Sequence, residues 1–382
     1  MTIPNYFSQI AGALDHPERL EIARRKGLKT VALIGVSLPE ELFWACGAVP
    51  ISLGRFVFVE QVANRSRLPR DVCAAVRTTF DLLANHWIPA GLVDAIVVAG
   101  GCDWIARLAD RFEGKAPVWP LNVSRAATSN VGGAKMGAHS RALTTARFGS
   151  LEQMLNALEL LTDLPLTRRA FDVAHGRVLA LNALCDLLDR LRLESPPVIR
   201  TSDYYRITGS LDLADPQRWA DEAQSLIRVF QSRIQTPKSK VQNLRVLLMG
   251  CPSGFPDSSL VEMIEQTGFQ IVGEDFGGHG SSRRSTAPPR GGRRAILNWL
   301  AGTLKARHLA NLSYGARGAH GVIRLHYRGC AVDAMQAARR KSLEADRDLA
   351  VLTIEIDPPS FTTEALRTRL EAFREQLLSR FH

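Results

Sequence analysis

No stretch of this 382-residue sequence stays apolar for the roughly 18 residues that a membrane span requires. The opening segment, MTIPNYFSQIAGALDHPERL, lacks the basic start and apolar centre of an export signal. A cytoplasmic protein with no membrane partner is therefore expected. The six cysteines, Cys46, Cys73, Cys102, Cys185, Cys251 and Cys330, include no Cys-x-x-Cys pair, so the usual zinc signature is missing. A reducing compartment argues against structural disulfides. No GxxxxGK(S/T) loop occurs, which argues against ATP binding by this chain. No GxSxG elbow occurs, which removes Ser-His-Asp catalysis of that type. Lysine is scarce: of 48 basic residues only 8 are lysine, so the net charge of +10 is an arginine excess. Such a bias reflects a GC-rich genome more readily than a function. The arginines are scattered and no nucleic-acid-binding motif accompanies them, so no nucleic-acid partner is expected.

What is present is a repeated strand–helix alternation. Hydrophobic residues make up 46% of the chain, enough for two cores. Residues 5–26 read as one amphipathic helix. KTVALIGVS (29–37) and AVPISL (48–53) read as strands, with Pro39, Glu40 and Glu41 opening a helix between them. Pro69 and Asp71 start another helix, and VDAIVVAG (93–100) is a buried strand by its unbroken Val/Ile content. A helix at 103–112 and a strand at 116–123 follow. Residues 126–148 read as a loop or crossing segment, 149–234 as helical, with a break at Pro196 and Pro197, and 235–243 as a linker. The alternation then resumes, with strands at 244–252, 269–275, 320–327 and 349–356 and helices at 257–267, 295–308, 331–343 and 363–379. This pattern predicts an α/β fold of two Rossmann-like, doubly wound parallel domains. The expected division is an N-terminal α/β domain over 1–148, a helical connecting region over 149–243 and a C-terminal α/β domain over 244–382.

In such a fold, strand exits all face one side, where ligands bind. Cys73 falls near the first turn of a helix, where thiolate is favoured, with Arg70 and Arg77 close in sequence. Cys102 follows Gly100 and Gly101 directly after a buried strand, and Cys330 follows Gly329 after another. Three thiolates converging there would hold a metal cluster with one open coordination position. Three buried cysteines in tight turns fit the spacing as well. Cys46 and Cys185 read as core, while Cys251 stands at a strand exit and could line the site. His320 and His326 flank the strand leading to Cys330 and are candidate catalytic proton donors; Tyr327 and Tyr204 are weaker ones. Five arginines, Arg283, Arg284, Arg290, Arg293 and Arg294, occupy the Gly-rich stretch 281–294. Arg283 and Arg284 are the candidates to grip the phosphates of a coenzyme A thioester, the alternative being a solvated loop.

The segments PEELFWACGAVPISL, LPRDVC, VDAIVVAGGCDWIARLAD and PVWPLNVSR resemble, in order, the 2-hydroxyacyl-CoA dehydratase D-component family, which includes subunits of ATP-dependent (class I) benzoyl-CoA reductase. RVLLMGCPSGFPD, EDFGGHGSSR and EIDPPSFTTEALRTRLEAFREQL continue the likeness through the second half. The resemblance implies two Rossmann-like domains with a 4Fe–4S cluster held by Cys73, Cys102 and Cys330. It also implies a homologous partner subunit, a separate ATP-hydrolysing iron–sulfur activator and an acyl-CoA thioester substrate. In dehydratases the injected electron makes a ketyl radical anion; in the reductase it drives a Birch-like ring reduction. Departures are RGCAVDAM, where the dehydratases carry Cys followed by Asp or Asn and Pro, and a longer, more arginine-rich basic stretch. The arginine-heavy composition favours the ring-reducing branch, used in anaerobic aromatic degradation. A dehydratase subunit and a non-catalytic electron-relay subunit are the alternatives. A double-cubane reductase would need about six cysteine ligands, and Cys46 and Cys185 are too apolar in context.

Overall fold

The structure is a computed structural model that describes residues 5–35, 38–53, 68–69, 71–99, 103–112, 114–121, 151–194, 196–234, 243–250, 258–275, 290–310, 318–327, 330, 349–356 and 363–381. Its first strands are β1 (Lys29–Gly35), β2 (Ala48–Ser52), β3 (Ala95–Ala99) and β4 (Val118–Leu121), all parallel, in the spatial order β2-β1-β3-β4. The second set, β5 (Leu244–Gly250), β6 (Phe269–Asp275), β7 (Gly321–Tyr327) and β8 (Ala350–Ile356), repeats the same parallel order, β6-β5-β7-β8. The α/β, two-sheet reading of the sequence is therefore the observed fold.

The helices are α1 (Asn5–Gly12), α2 (Glu18–Arg25), α3 (Glu40–Ala45), α4 (Ala74–Asp81), α5 (Asp103–Phe112), α6 (Leu151–Thr162), α7 (Arg168–Leu193), α8 (Thr201–Ser210), α9 (Pro216–Ile234), α10 (Ser259–Gln266), α11 (Arg293–Ala310) and α12 (Thr363–Phe381). One expectation is corrected. Residues 5–26 form two helices, because Pro17 takes an extended backbone and caps the start of α2; proline has no N–H to continue a helix from the turn before it. A π-helical turn, Leu82–Trp87, extends α4 and buries Leu82, Leu83 and Trp87. The helix expected at 331–343 lies outside the described residues.

Strand alternation sorts the core. Ala32, Ile34, Ile96 and Val98 enter one apolar cluster, while their neighbours Val31, Leu33, Ala95 and Val97 enter another on the opposite face. The first cluster also takes Val246 and Leu248 of β5 and Ile323 and Leu325 of β7. Leu184, Leu188 and Leu191 of α7, with Tyr204, Tyr205 and Ile207 of α8, belong to it too, so the middle helices join the two sheets in one continuous core. The second cluster is closed by α3, α6, α7 and, from far along the chain, Ile296 and Leu300 of α11.

Buried Arg19 pins the first half to the middle. Its guanidinium donates to Pro50 O at 2.9 Å, Leu211 O at 2.5 Å and Ala214 O at 3.2 Å. It also reaches Glu40 Oε2 at 3.4 Å, so its charge is fully engaged.

Candidate functional site

Both sheets run outward from their central strands. From β1 the chain goes to β2 on one side and from β3 to β4 on the other, and likewise from β5 and β7, so the carboxyl ends of these strand pairs are topological switch points, where ligands bind in sheets of this kind. The first strand of each sheet, β1 and β5, ends on a glycine with positive φ: Gly35 at 97° and Gly250 at 104°. At Gly250 a Cβ would lie 2.0 Å from the Leu325 carbonyl oxygen, so only glycine lets β5 and β7 close up at this rim.

Cys330 stands three residues past Tyr327, the last residue of β7, is half-buried and packs on the continuous core. Cys73 is the N-cap of α4, 7% exposed, and belongs to the same cluster. Its side chain makes no capping hydrogen bond, and no acidic residue occupies the first turn of α4. That first turn therefore adds no negative charge to answer the positive end of the helix. Arg77, one turn further along, is 6% exposed, and its Nε has no hydrogen-bond partner. Leaving a buried donor unsatisfied costs about 1–3 kcal/mol, so a thiol, a helix start and the unpartnered Nε of Arg77 together suit an anionic metal–thiolate centre. Cys102, three residues past the last residue of β3, lies outside the described residues, as do Cys251, Arg283 and Arg284. Among the described residues, no group of three or more His, Cys, Asp or Glu side chains is gathered as a metal would need.

The two histidines part company. His326 is the last residue but one of β7, opposite Glu355 of β8, and so belongs to the carboxyl-end rim. His320 precedes the first residue of β7, at the opposite end of a seven-residue strand, about 20 Å away at about 3.3 Å per residue. There it works as a backbone clasp. Its Nδ1 accepts from Arg245 N at 3.0 Å, and its own N–H donates to Arg245 O at 2.7 Å. Burial, helped by Arg245, holds its imidazole below the ordinary range. Stability from this neutral imidazole is full above the unfolded value and is lost as pH falls through the lowered folded one. A His320→Ala variant is expected to lose about 1 kcal/mol by stranding the Arg245 N–H, read as a lower urea midpoint at pH 8. An unchanged midpoint would show that the clasp carries no stability.

The remaining candidates sort by their contacts. Cys46 is fully buried, and desolvation, reinforced by Glu159, pushes its thiol up to about 12; Cys185 is 3% exposed on α7. Within the arginine-rich stretch, Arg290 and Arg294 are exposed. Arg293 is engaged by Glu159 and Asn156 of α6, so its charge is already matched. Tyr204 lies under the Arg192 guanidinium, 4.6 Å from ring to Cζ, and the Tyr327 side chain is outside the described residues.

One cluster escaped the sequence reading. Arg192, in the last turn of α7, is buried; it donates to Asp189 Oδ1 at 2.7 Å and forms an ion pair with Glu274, whose Oε1 lies 2.9 Å from its guanidinium. Glu274 is the penultimate residue of β6. Burial raises its carboxyl despite Arg192, and the neighbouring Tyr204 and Tyr205 hydroxyls are also pushed well up by burial. The available signal was an arginine on the apolar stripe of α7, one residue after Leu191 and four after Leu188.

Among the described residues, no helix is long and apolar enough to cross a membrane. No curated protein matches the chain. Residues 36–377 match the family described as 2-hydroxyglutaryl-CoA dehydratase, D-component, and the chain belongs to that family.

Proposed function

We propose that this chain is the iron–sulfur subunit of an ATP-dependent, low-potential radical acyl-CoA enzyme of the ring-reducing, benzoyl-CoA reductase type. The observation that supports the reading is that Cys73 stands at a helix start beside the buried Arg77 and Cys330 just past the carboxyl end of β7. In this reading Cys73, Cys102 and Cys330 hold a 4Fe–4S cluster, and Arg77 supplies a matching buried charge. Such a cluster delivers single electrons at low potential when bound. His326, near the carboxyl end of β7, would move a proton there. Arg283 and Arg284 would grip the CoA phosphates. The partners are a homologous subunit and an ATP-hydrolysing iron–sulfur activator, and the setting is the cytoplasm.

A second reading, a 2-hydroxyacyl-CoA dehydratase subunit, is favoured by the description of the matched family. Anaerobic purification with the partner subunit, followed by iron and sulfide analysis, EPR and assay on both thioester classes, separates them. A metal-free complex would sink both readings. In the loaded complex, replacing Arg283 and Arg284 by alanine is expected to weaken acyl-CoA binding at least about tenfold, the worth of one charge-assisted bond. Unchanged affinity by calorimetry would remove them from the phosphate site.

A further inference from the structure

The Nε of Arg77, buried without a hydrogen-bond partner, has no task among the cluster ligands proposed above. Arg77 lies four residues after Cys73, so the two share one face of α4. Helical side chains lean toward the helix N-terminus, which carries Arg77 over the turn that holds Cys73. The carboxylate one turn in the other direction, Asp81, is turned elsewhere. It accepts from Asn85 Nδ2 at 2.5 Å and sits 3.7 Å from His86 Nε2. Asp71, just before the helix, is exposed. No carboxylate among the described residues pairs with Arg77, and its Nε remains without a partner in a side chain that is 94% buried. The first turn of α4 holds no acidic residue either. Two positive features, a helix N-terminus and a buried cation, therefore lie beside one thiol.

We propose that Arg77 is a positioning residue that supplies the counter-charge to an anionic metal–thiolate centre held at Cys73, and so sets that centre's reduction potential. The inference rests on the iron–sulfur reading above. Adding an electron makes such a centre more negative, so a fixed buried cation favours the reduced state, and hydrogen bonds and local charge are established levers on cluster potentials. Arg77 thereby keeps the centre within reach of its electron donor. A lysine would keep the charge while losing the planar fork.

The test is an EPR-monitored redox titration of the anaerobically purified complex, with Arg77 intact or replaced in R77M and R77K, beside iron and sulfide analysis and circular dichroism. The expected result is equal iron in all three, a more negative midpoint potential in R77M, and a potential near the parent value in R77K. A folded R77M that is poor in iron while R77K is loaded also supports the proposal, since charge is then needed for retention. If R77M is unfolded, R77Q carries the same comparison. Potentials that do not move, or that move equally in R77M and R77K, overturn the proposal and leave the cluster reading standing. A parent complex without iron overturns both.

Discussion

Replacing Cys73 by serine is expected to strip most of the iron from the complex while leaving the fold at least as stable. The two effects have opposite signs because of where the residue sits. Cys73 occupies the N-cap of α4 with an extended ψ of 133° and offers no side-chain capping bond. A serine hydroxyl at such a position accepts from the second or third amide of the helix and typically contributes ~1 kcal/mol. Against this stands the burial of a hydroxyl in place of an apolar thiol, a cost the new bond largely offsets. Serine is a poor ligand for iron beside thiolate, so metal content should fall by most of its value. The control is Cys46→Ser. That thiol is fully buried and its environment opposes ionisation, so the variant should melt earlier and keep its iron. Iron per chain and melting temperature, measured on both proteins, decide the matter. A Cys73→Ser protein with full iron would remove Cys73 from the ligand set.

Replacing Arg192 by methionine is expected to produce the largest loss of stability of any change considered. The substitution keeps much of the volume but leaves Glu274, whose side chain is 6% exposed, with its charge unmatched inside the core. Breaking a buried pair in this way typically costs about 3–5 kcal/mol, several times an exposed pair. The loss should depend on pH in a defined direction. Burial already raises the Glu274 carboxyl in the intact protein, against the pull of Arg192. Without Arg192 it rises further. A group whose folded value is raised contributes stability below its unfolded value and loses it as pH climbs through the folded one. The deficit of R192M should accordingly be greater at pH 8 than at pH 5, and R192M/E274Q should recover much of it. Urea midpoints at both pH values test this. Equal deficits at the two would show that lost packing, not stranded charge, is responsible.

The sequence showed the architecture more fully than the site. Unbroken Val/Ile runs such as AIVVA announce strands covered on both faces, and alternation with amphipathic helices leaves a parallel sheet as the natural outcome. The reading of 5–26 as one helix failed because apolar periodicity continued across Pro17 and outweighed a single proline that breaks the backbone. Cys73 and Cys330 were legible as a helix start and a strand exit because proline and glycine mark those places. Distance along the chain hid the rest. Arg192 and Glu274 are 82 residues apart by their numbers, and only the packing of α7 against β6 brings them to 2.9 Å. His320 and His326 looked equivalent from spacing, yet a seven-residue strand separates the two ends of the sheet. The unpartnered Nε of Arg77 was invisible as well, since an unmade hydrogen bond leaves no trace in a sequence.

The packing of α11 on the first sheet has a consequence for motion. Ile296 and Leu300 are both fully buried there, and each contributes about 1.5–3 kcal/mol by staying out of water. Swinging the two sheets apart about a hinge would expose them, along with the α7 and α8 side chains that link the sheets. Small sliding shifts between packed helices keep those contacts intact. Turnover in this protein should therefore proceed by shear of a few ångströms or less, with the two halves travelling as one body.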